Sequence, residues 1–360
     1  MKPKRLIIQA ISIGLGILAA CMVAEAVLRF TDVNDYVVLP VDKASGLSIH
    51  ASDSSYEISR PCLENTVTDN NLGFHGPPVS AEKGKNVFRI VVSGGSFVEA
   101  EQVPVSEMFT TLLERKLNAD PRRASDYEVI PLGFSGNGTF LDTLYFERFG
   151  ESLKPDLVIL LETEYESAHD DPRFTADGRV DLSLPVPSPS RSPSMDKFRN
   201  IYHHSKLIMN VFERLYSRYT ELKQEMSDDL ARMASFTDSA SDSATSSVSK
   251  DQGVWDMGAK LMDSLVGTVS SVHARFLLAT WAIPGTPTLT TQELRDQSQR
   301  SADRDHFPYL DLSPSIADQY ARKGASPVWS CDNHWSQAGH EYAAESLYEY
   351  LKQNPKFLSK

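Results

Sequence analysis

The sequence predicts an α/β domain in which a five-stranded parallel sheet is covered by helices on both faces. Three observations predict it. Five short apolar runs recur from residue 87 onward, they alternate with stretches of helical periodicity, and they read as continuous rather than alternating hydrophobic segments. A strand buried on both faces is apolar throughout, and successive parallel strands need a crossover long enough to hold a helix.

The strand candidates are Val87–Val92, Tyr127–Leu132, Asp156–Leu161, Arg275–Thr280 and Tyr309–Leu312. Between the first two, Glu107–Leu117 carries Phe109, Leu112, Leu113 and Leu117 at helical spacing. Phe140–Phe149 fills the next crossover, and a helix-like run closes the chain after Trp335. Ile201–Met226 is a further helix candidate, with Leu207, Val211, Phe212, Leu215 and Tyr216 on one stripe suited to packing or to a lid. His203 and His204 on that segment read as solvated rather than as metal ligands. A Pro/Ser-rich stretch over 184–193 and a Ser/Asp/Ala/Thr-rich stretch over 235–249 predict mobile loops within a domain spanning 81–360. Residues 29–80 show little periodicity and read as a connector packed on that domain, ended by the turn-rich Asn71–Pro77.

The N-terminus has another character. Lys2, Lys4 and Arg5 form a basic stub over 1–5, followed by Leu6–Leu28, interrupted only by Gln9, Ser12 and Glu25. That run is about 23 residues, or about 34 Å as a helix, enough to span a hydrocarbon core. Positive charge before it predicts a cytoplasmic N-terminus and an exported remainder, hence a single-pass signal anchor over 6–28. Leu18-Ala19-Ala20-Cys21 also reads as a lipobox, which would make Cys21 a lipidated residue. Apolar character continues past Cys21, which favours a retained anchor. Either way the bulk of the chain lies in an oxidising compartment, where Cys62 and Cys331 could pair or remain as two thiols.

The remaining composition is that of a globular protein: 360 residues, 41% hydrophobic, 23% charged and a net charge of −12. An acidic chain without a basic stripe argues against a nucleic-acid partner.

Two segments carry chemistry. Val91–Phe97 follows the first strand and places Ser96 in a glycine-preceded turn; Asp332-Asn333-His334-Trp335 puts a carboxylate and an imidazole two residues apart. Each alone has a plainer account, Ser96 as a helix cap and Asp332/His334 as surface polarity. Together they supply nucleophile, base and orienting carboxylate in the order Ser, Asp, His, at the ends of elements of one α/β pattern. Loops after parallel strands meet at the carboxyl edge of the sheet, so the Gly133–Thr139 segment joins them, with Gly136 able to bring a backbone N–H close to an oxyanion.

On these segments the chain resembles the SGNH (GDSL-like) hydrolases, in the membrane-anchored form of bacterial envelope and polysaccharide systems. Asn71–Gly76 resembles the family's pre-domain turn, Gly94-Gly95-Ser96-Phe97 its nucleophile block, Gly133–Thr139 its second block, and Asp332–Trp335 with Ala338-Gly339-His340 its terminal block. The resemblance implies a three-layer α/β/α, flavodoxin-like fold. It also implies a triad of Ser96, His334 and Asp332, with the N–H groups of Ser96 and Gly136 as oxyanion hole and no cofactor or metal. The expected activity is that of an exported serine esterase or O-acyltransferase acting on O-acyl groups, O-acetyl first, of an envelope glycan, at the periplasmic side of the inner membrane beside other envelope-biosynthesis proteins. A catalytically weak or inactive glycan-binding or scaffold module is the alternative, and a metallohydrolase using Asp332, His334 and His340 a third.

Two departures stand out. Gly95 replaces the aspartate of Gly-Asp-Ser, and no asparagine follows the third strand where the family has an oxyanion donor. Alignment from that strand places Glu166 there, leaving Asn137 or Tyr165 as substitute donors. Loss of one such donor costs about 100- to 1000-fold in rate.

Overall fold

A computed structural model of the chain describes residues 3–30, 47–163, 205, 207–208, 244–282 and 291–359. The chain divides into two compact units, Met1–Val38 with Ser188–Ser249, and Leu39–Pro187 with Lys250–Lys360.

The second unit is built on the expected sheet. β3 (Val87–Gly94), β4 (Asp126–Gly133), β5 (Leu157–Glu162), β6 (Arg275–Thr280) and β7 (Tyr309–Asp311) form one five-stranded sheet in the order β4-β3-β5-β6-β7. Every pairing in it is parallel. Because side chains alternate across a strand, Leu157, Ile159 and Leu161 of β5 enter one apolar core while Val158 and Leu160 enter the other. The first core is closed by α3 (Phe109–Ala119), α7 (Ser313–Lys323) and α8 (Gln337–Gln353), through Phe109, Leu113, Ile316, Tyr342 and Leu347. The second is closed by α4 (Thr139–Tyr145), the C-terminal part of α5 (Ala244–Ser271) and α6 (Thr291–Asp305), through Phe140, Leu144, Leu261, Leu265 and Ala302. Continuous apolar strands were the signal for such double covering, and each face has its helices.

Strand order decides where a ligand can bind. From β3 the chain first goes to β4 on one side, then crosses back to β5 on the other, so the order reverses at β3. In open parallel sheets a ligand crevice lies beyond the carboxyl ends of the strands at such a reversal. Ser96 opens the short helix α2 (Ser96–Glu99) directly after β3.

The connector holds more order than its composition suggests. Within it β1 (Ser55–Arg60) and β2 (Leu63–Thr68) form an antiparallel hairpin closed by Pro61 and Cys62. The Asn71–Pro77 turn is pinned by Asn70, whose Oδ1 accepts the backbone N–H groups of Leu72 and Phe74. The Ser/Asp-rich stretch expected as a loop over 235–249 is helical from Ala244, where α5 begins. The Pro/Ser-rich stretch 184–193 and nearly all of the Ile201–Met226 helix candidate, including His203 and His204, lie outside the described residues.

In the first unit Pro3–Phe30 forms one helix, α1. Among the described residues no helix is long and apolar enough to cross a membrane; on α1 the continuous run of described side chains is only Ser12 to Val27. Ile13, Leu15, Ile17, Met22 and Val23 on that run are all exposed.

Candidate active site

Two short elements bring the chemistry together at the carboxyl edge of the sheet. α2 presents Ser96, and β9 (Asp332–Trp335), paired antiparallel with β8 (Val328–Trp329), presents Asp332 and His334. Residues two apart on a strand share a face, which is why an Asp-X-His spacing lets the carboxylate reach its own strand's imidazole. Asp332 Oδ1 accepts the His334 Nδ1 proton and, at 3.0 Å, the His334 backbone N–H. With that tautomer fixed, His334 Nε2 accepts from the Ser96 hydroxyl at 2.7 Å. Phe97 packs on the imidazole at a centroid distance of 5.0 Å and rests in turn on the fully buried Trp335.

Asp332 is held from a second side. Its Oδ2 forms an ion pair with Arg60 at the tip of the β1–β2 hairpin. Burial pushes the Asp332 carboxyl up, yet the two His334 hydrogen bonds and the charges of His334 and Arg60 outweigh burial and hold it below the usual carboxylate range. The hairpin tip is also joined covalently to this loop by the Cys62–Cys331 disulfide, with a Cα–Cα distance of 5.7 Å. The Cys62 and Cys331 backbone N–H groups each donate to the other residue's sulfur, at 3.2 and 3.1 Å. Of the two states open for these cysteines, the paired one is present.

The second block leans over the nucleophile turn. Gly136 has φ +81°, a conformation glycine adopts freely and other residues rarely do. Next to it the Asn137 side-chain amide donates to Asp142 Oδ1 at 3.2 Å. A Cβ on Gly95 would lie 3.1 Å from the Asn137 carbonyl oxygen. The two loops approach closely at the Gly-Gly-Ser departure, so a side chain at 95 would need the Asn137 carbonyl to give by a few tenths of an ångström.

Ser96, Gly136, Asn137, Asp142, Glu162 and His334 line one cavity of about 270 Å³. Glu162 caps β5 and is only 5% exposed. Burial pushes its carboxyl up to about 7, countered in part by a hydrogen bond from Thr139 Oγ1 at 2.6 Å. Three residues of the site escaped the sequence reading: Glu162, Arg60 and Glu99. A glutamate closing an otherwise apolar strand was the available signal for the first; nothing local marks the other two.

Glu99 links α2 to the Gly133–Thr139 loop. Its Oε2 accepts the Ser135 backbone N–H at 2.7 Å and the Ser135 hydroxyl, while Oε1 faces His50 Nε2 at 3.0 Å. Burial lowers the His50 pKa, but the Glu99 hydrogen bond and the charges of Asp69, Glu99 and Glu101 raise it above the ordinary imidazole value. Among the described residues His50, Glu99 and Glu101 are the group whose ligand atoms lie close enough to share a metal ion, within 4.8 Å of one another. His340 is not brought to Asp332 and His334 as a third ligand. It is buried against Phe109 and Trp335, its Nδ1 accepts the Phe109 backbone N–H at 3.2 Å, and burial with the charges of His75 and His334 lowers its pKa to about 3. The metallohydrolase reading, the least favoured of the three from sequence, thus finds no Asp332/His334/His340 metal set among the described residues. Glu166 and Tyr165, considered as oxyanion groups, lie outside the described residues.

No family model and no curated protein matches the chain. In fold it is similar to several solved structures. A member of the lipolytic protein G-D-S-L family from Veillonella parvula shares 10% identity at a TM-score of 0.40, over 74% of this chain and 99% of that one. A lipase/acylhydrolase from Enterococcus faecalis shares 14% at 0.42, over 74% and 96%. An acetyl xylan esterase shares 13% at 0.41, over 73% and 100%. Identities this low leave the chemistry of the site to be read from this chain's own residues.

Proposed function

We propose that the chain is an SGNH-type serine esterase or O-acyltransferase that acts on short O-acyl groups, O-acetyl first, of an envelope glycan. One observation carries the proposal: the Ser96 hydroxyl donates to His334 Nε2 at 2.7 Å while Asp332 holds the other ring nitrogen. In this mechanism Ser96 Oγ attacks the acyl carbonyl as His334 Nε2 takes its proton. The oxyanion of the tetrahedral intermediate accepts from the backbone N–H groups of Ser96 and Gly136. Collapse breaks the ester C–O bond, and His334 returns the proton to the leaving sugar hydroxyl. Water or a second hydroxyl, deprotonated by His334, then attacks the acyl-enzyme and frees Ser96. The cavity of about 270 Å³ sits just below the roughly 300–1,000 Å³ of ligand sites, which favours a short acyl chain.

The second reading, a non-catalytic glycan-binding or scaffold module, is favoured by the missing third-block asparagine and by the commitment of the Asn137 amide to Asp142. Intact-mass analysis after incubation with a fluorophosphonate probe separates the two. A single adduct on Ser96, lost in Ser96→Ala, is expected; an unlabelled wild type under conditions that label a control serine hydrolase would favour the module.

Anchoring and export belong to the same proposal, with α1 as a retained inner-membrane anchor and the Ser96 domain on the periplasmic side. Support comes from the basic stub, the apolar run Leu6–Leu28 and the exposure of Ile13, Leu15, Ile17, Met22 and Val23. A phosphatase reporter fused after Lys360 should be active, and cytoplasmic reporter activity would overturn the placement. Palmitate incorporation that requires Cys21 would replace the anchor by a lipoprotein.

A further inference from the structure

We infer that Glu162 is a hydrogen-bond donor of the site: its neutral carboxyl O–H takes the place of the missing side-chain amide and binds the substrate's acyl oxygen as negative charge builds on it. The inference rests on the serine-hydrolase reading above and deepens it.

Register places the residue. Gly94 of β3 pairs with Leu161 of β5, so Glu162 stands beside Gly95 and Ser96 at the carboxyl edge of the sheet. Leu161 turns into the core under α3 and α8; alternation turns Glu162 the other way, towards α4, where Thr139 donates to Oε1 at 2.6 Å. Thr139 engages Oε1, and Glu162 lines the cavity together with Ser96, Gly136 and His334.

The surroundings favour the acid over the anion. At 5% exposure the carboxyl has little water, and among the described residues no cation is paired with it. The titratable groups around it are Asp142 from α4, Tyr309 from β7 and His334 from β9; the Arg295 guanidinium of α6, which acts on Tyr309, is engaged by Asp311 of β7. Burial holds Glu162 near 7, so its acid form is present at neutral pH and is lost above it. A neutral carboxyl donates to an oxyanion, whereas an ionised one repels it. This accounts for a site that dispenses with the family's amide: the donor comes earlier in the sequence, from the last residue of β5.

The test compares wild type, Glu162→Gln and Glu162→Ala in p-nitrophenyl acetate hydrolysis from pH 5.5 to 9, with melting curves on each. In wild type kcat should decline as pH rises through about 7. Glu162→Gln keeps a donor at every pH, so it should retain kcat within about threefold at pH 6 and lose that decline. Glu162→Ala should lower kcat about 100-fold with little change in KM, the loss typical of one oxyanion donor. A readout independent of activity accompanies these. The buried carboxyl has its pKa raised above the unfolded value, so its ionisation destabilises the fold as pH rises from about 4.5 to about 7. The Tm advantage of Glu162→Gln over wild type should therefore widen across that window and stay constant above it.

The donor role is overturned if wild type hydrolyses the ester and a folded Glu162→Gln loses as much as Glu162→Ala, or if Glu162→Gln keeps the wild-type decline. A wild type that neither hydrolyses nor labels overturns the serine-hydrolase reading itself and the donor with it, and is thus distinguishable.

Discussion

Replacing Ser96 by alanine is expected to lower p-nitrophenyl acetate turnover by about 1000-fold or more, with His334→Ala falling to the same floor. A serine hydroxyl at neutral pH is a weak nucleophile, and His334 Nε2, 2.7 Å away, is the group in place to take its proton as the bond to carbon forms. Removing either member removes the same step, so the double variant should be no slower than either single one. Asp332→Asn tests the tautomer: an amide can present its N–H to Nδ1, which would leave Nε2 carrying the proton and unable to accept from Ser96. Its KM should change little while kcat falls steeply. Steady-state kinetics on purified full-length protein check these values. Additive losses in the double variant, or a Ser96→Ala protein that keeps more than a tenth of wild-type turnover, would remove Ser96 from the chemistry.

Breaking the Cys62–Cys331 bond is the second large effect expected. The bridge spans 269 positions of sequence, and closing so long a loop restricts the unfolded chain strongly. Cys62→Ser with Cys331→Ser should cost about 2–5 kcal/mol of stability, read as a lower urea midpoint than the oxidised protein. The same substitution should also slow catalysis, because the bridge fixes the hairpin tip that carries Arg60 onto Asp332. Arg60→Gln separates the two consequences. Arg60 is 43% exposed, so its ion pair contributes under about 1 kcal/mol to stability, while its loss leaves Asp332 Oδ2 without the cation that steadies it. A several-fold drop in kcat at an almost unchanged midpoint is the expected result. Equal midpoints with and without reductant would mean that the bond is not formed in the protein.

The order of strands and helices was legible in the sequence because burial on both faces writes itself into composition. Arg275–Thr280 was placed to the residue and β3, β4 and β5 within two residues at each end. Ser96, Gly136, Asp332 and His334 were legible for a related reason: glycine-flanked turns and an Asp-X-His spacing are local patterns, readable wherever they fall. The β1–β2 hairpin was missed since its apolar positions are few, and much of what it covers is a polar site rather than a core.

What the sequence by itself determined is the alphabet of the site, a serine, a histidine and a carboxylate at the ends of parallel strands. Whether Ser96 reaches His334 across 238 positions is a matter of strand order, which periodicity does not encode. Tertiary structure alone decided that Cys62 and Cys331 meet, that Arg60 lands on Asp332, that His340 faces Phe109 instead of the site, and that Glu162 lines the cavity with no paired cation among the described residues. Each of these depends on which way a side chain turns and how much water is left around it. Burial and distance between remote segments are properties of the packed chain, and it is they that set how a carboxylate or an imidazole behaves.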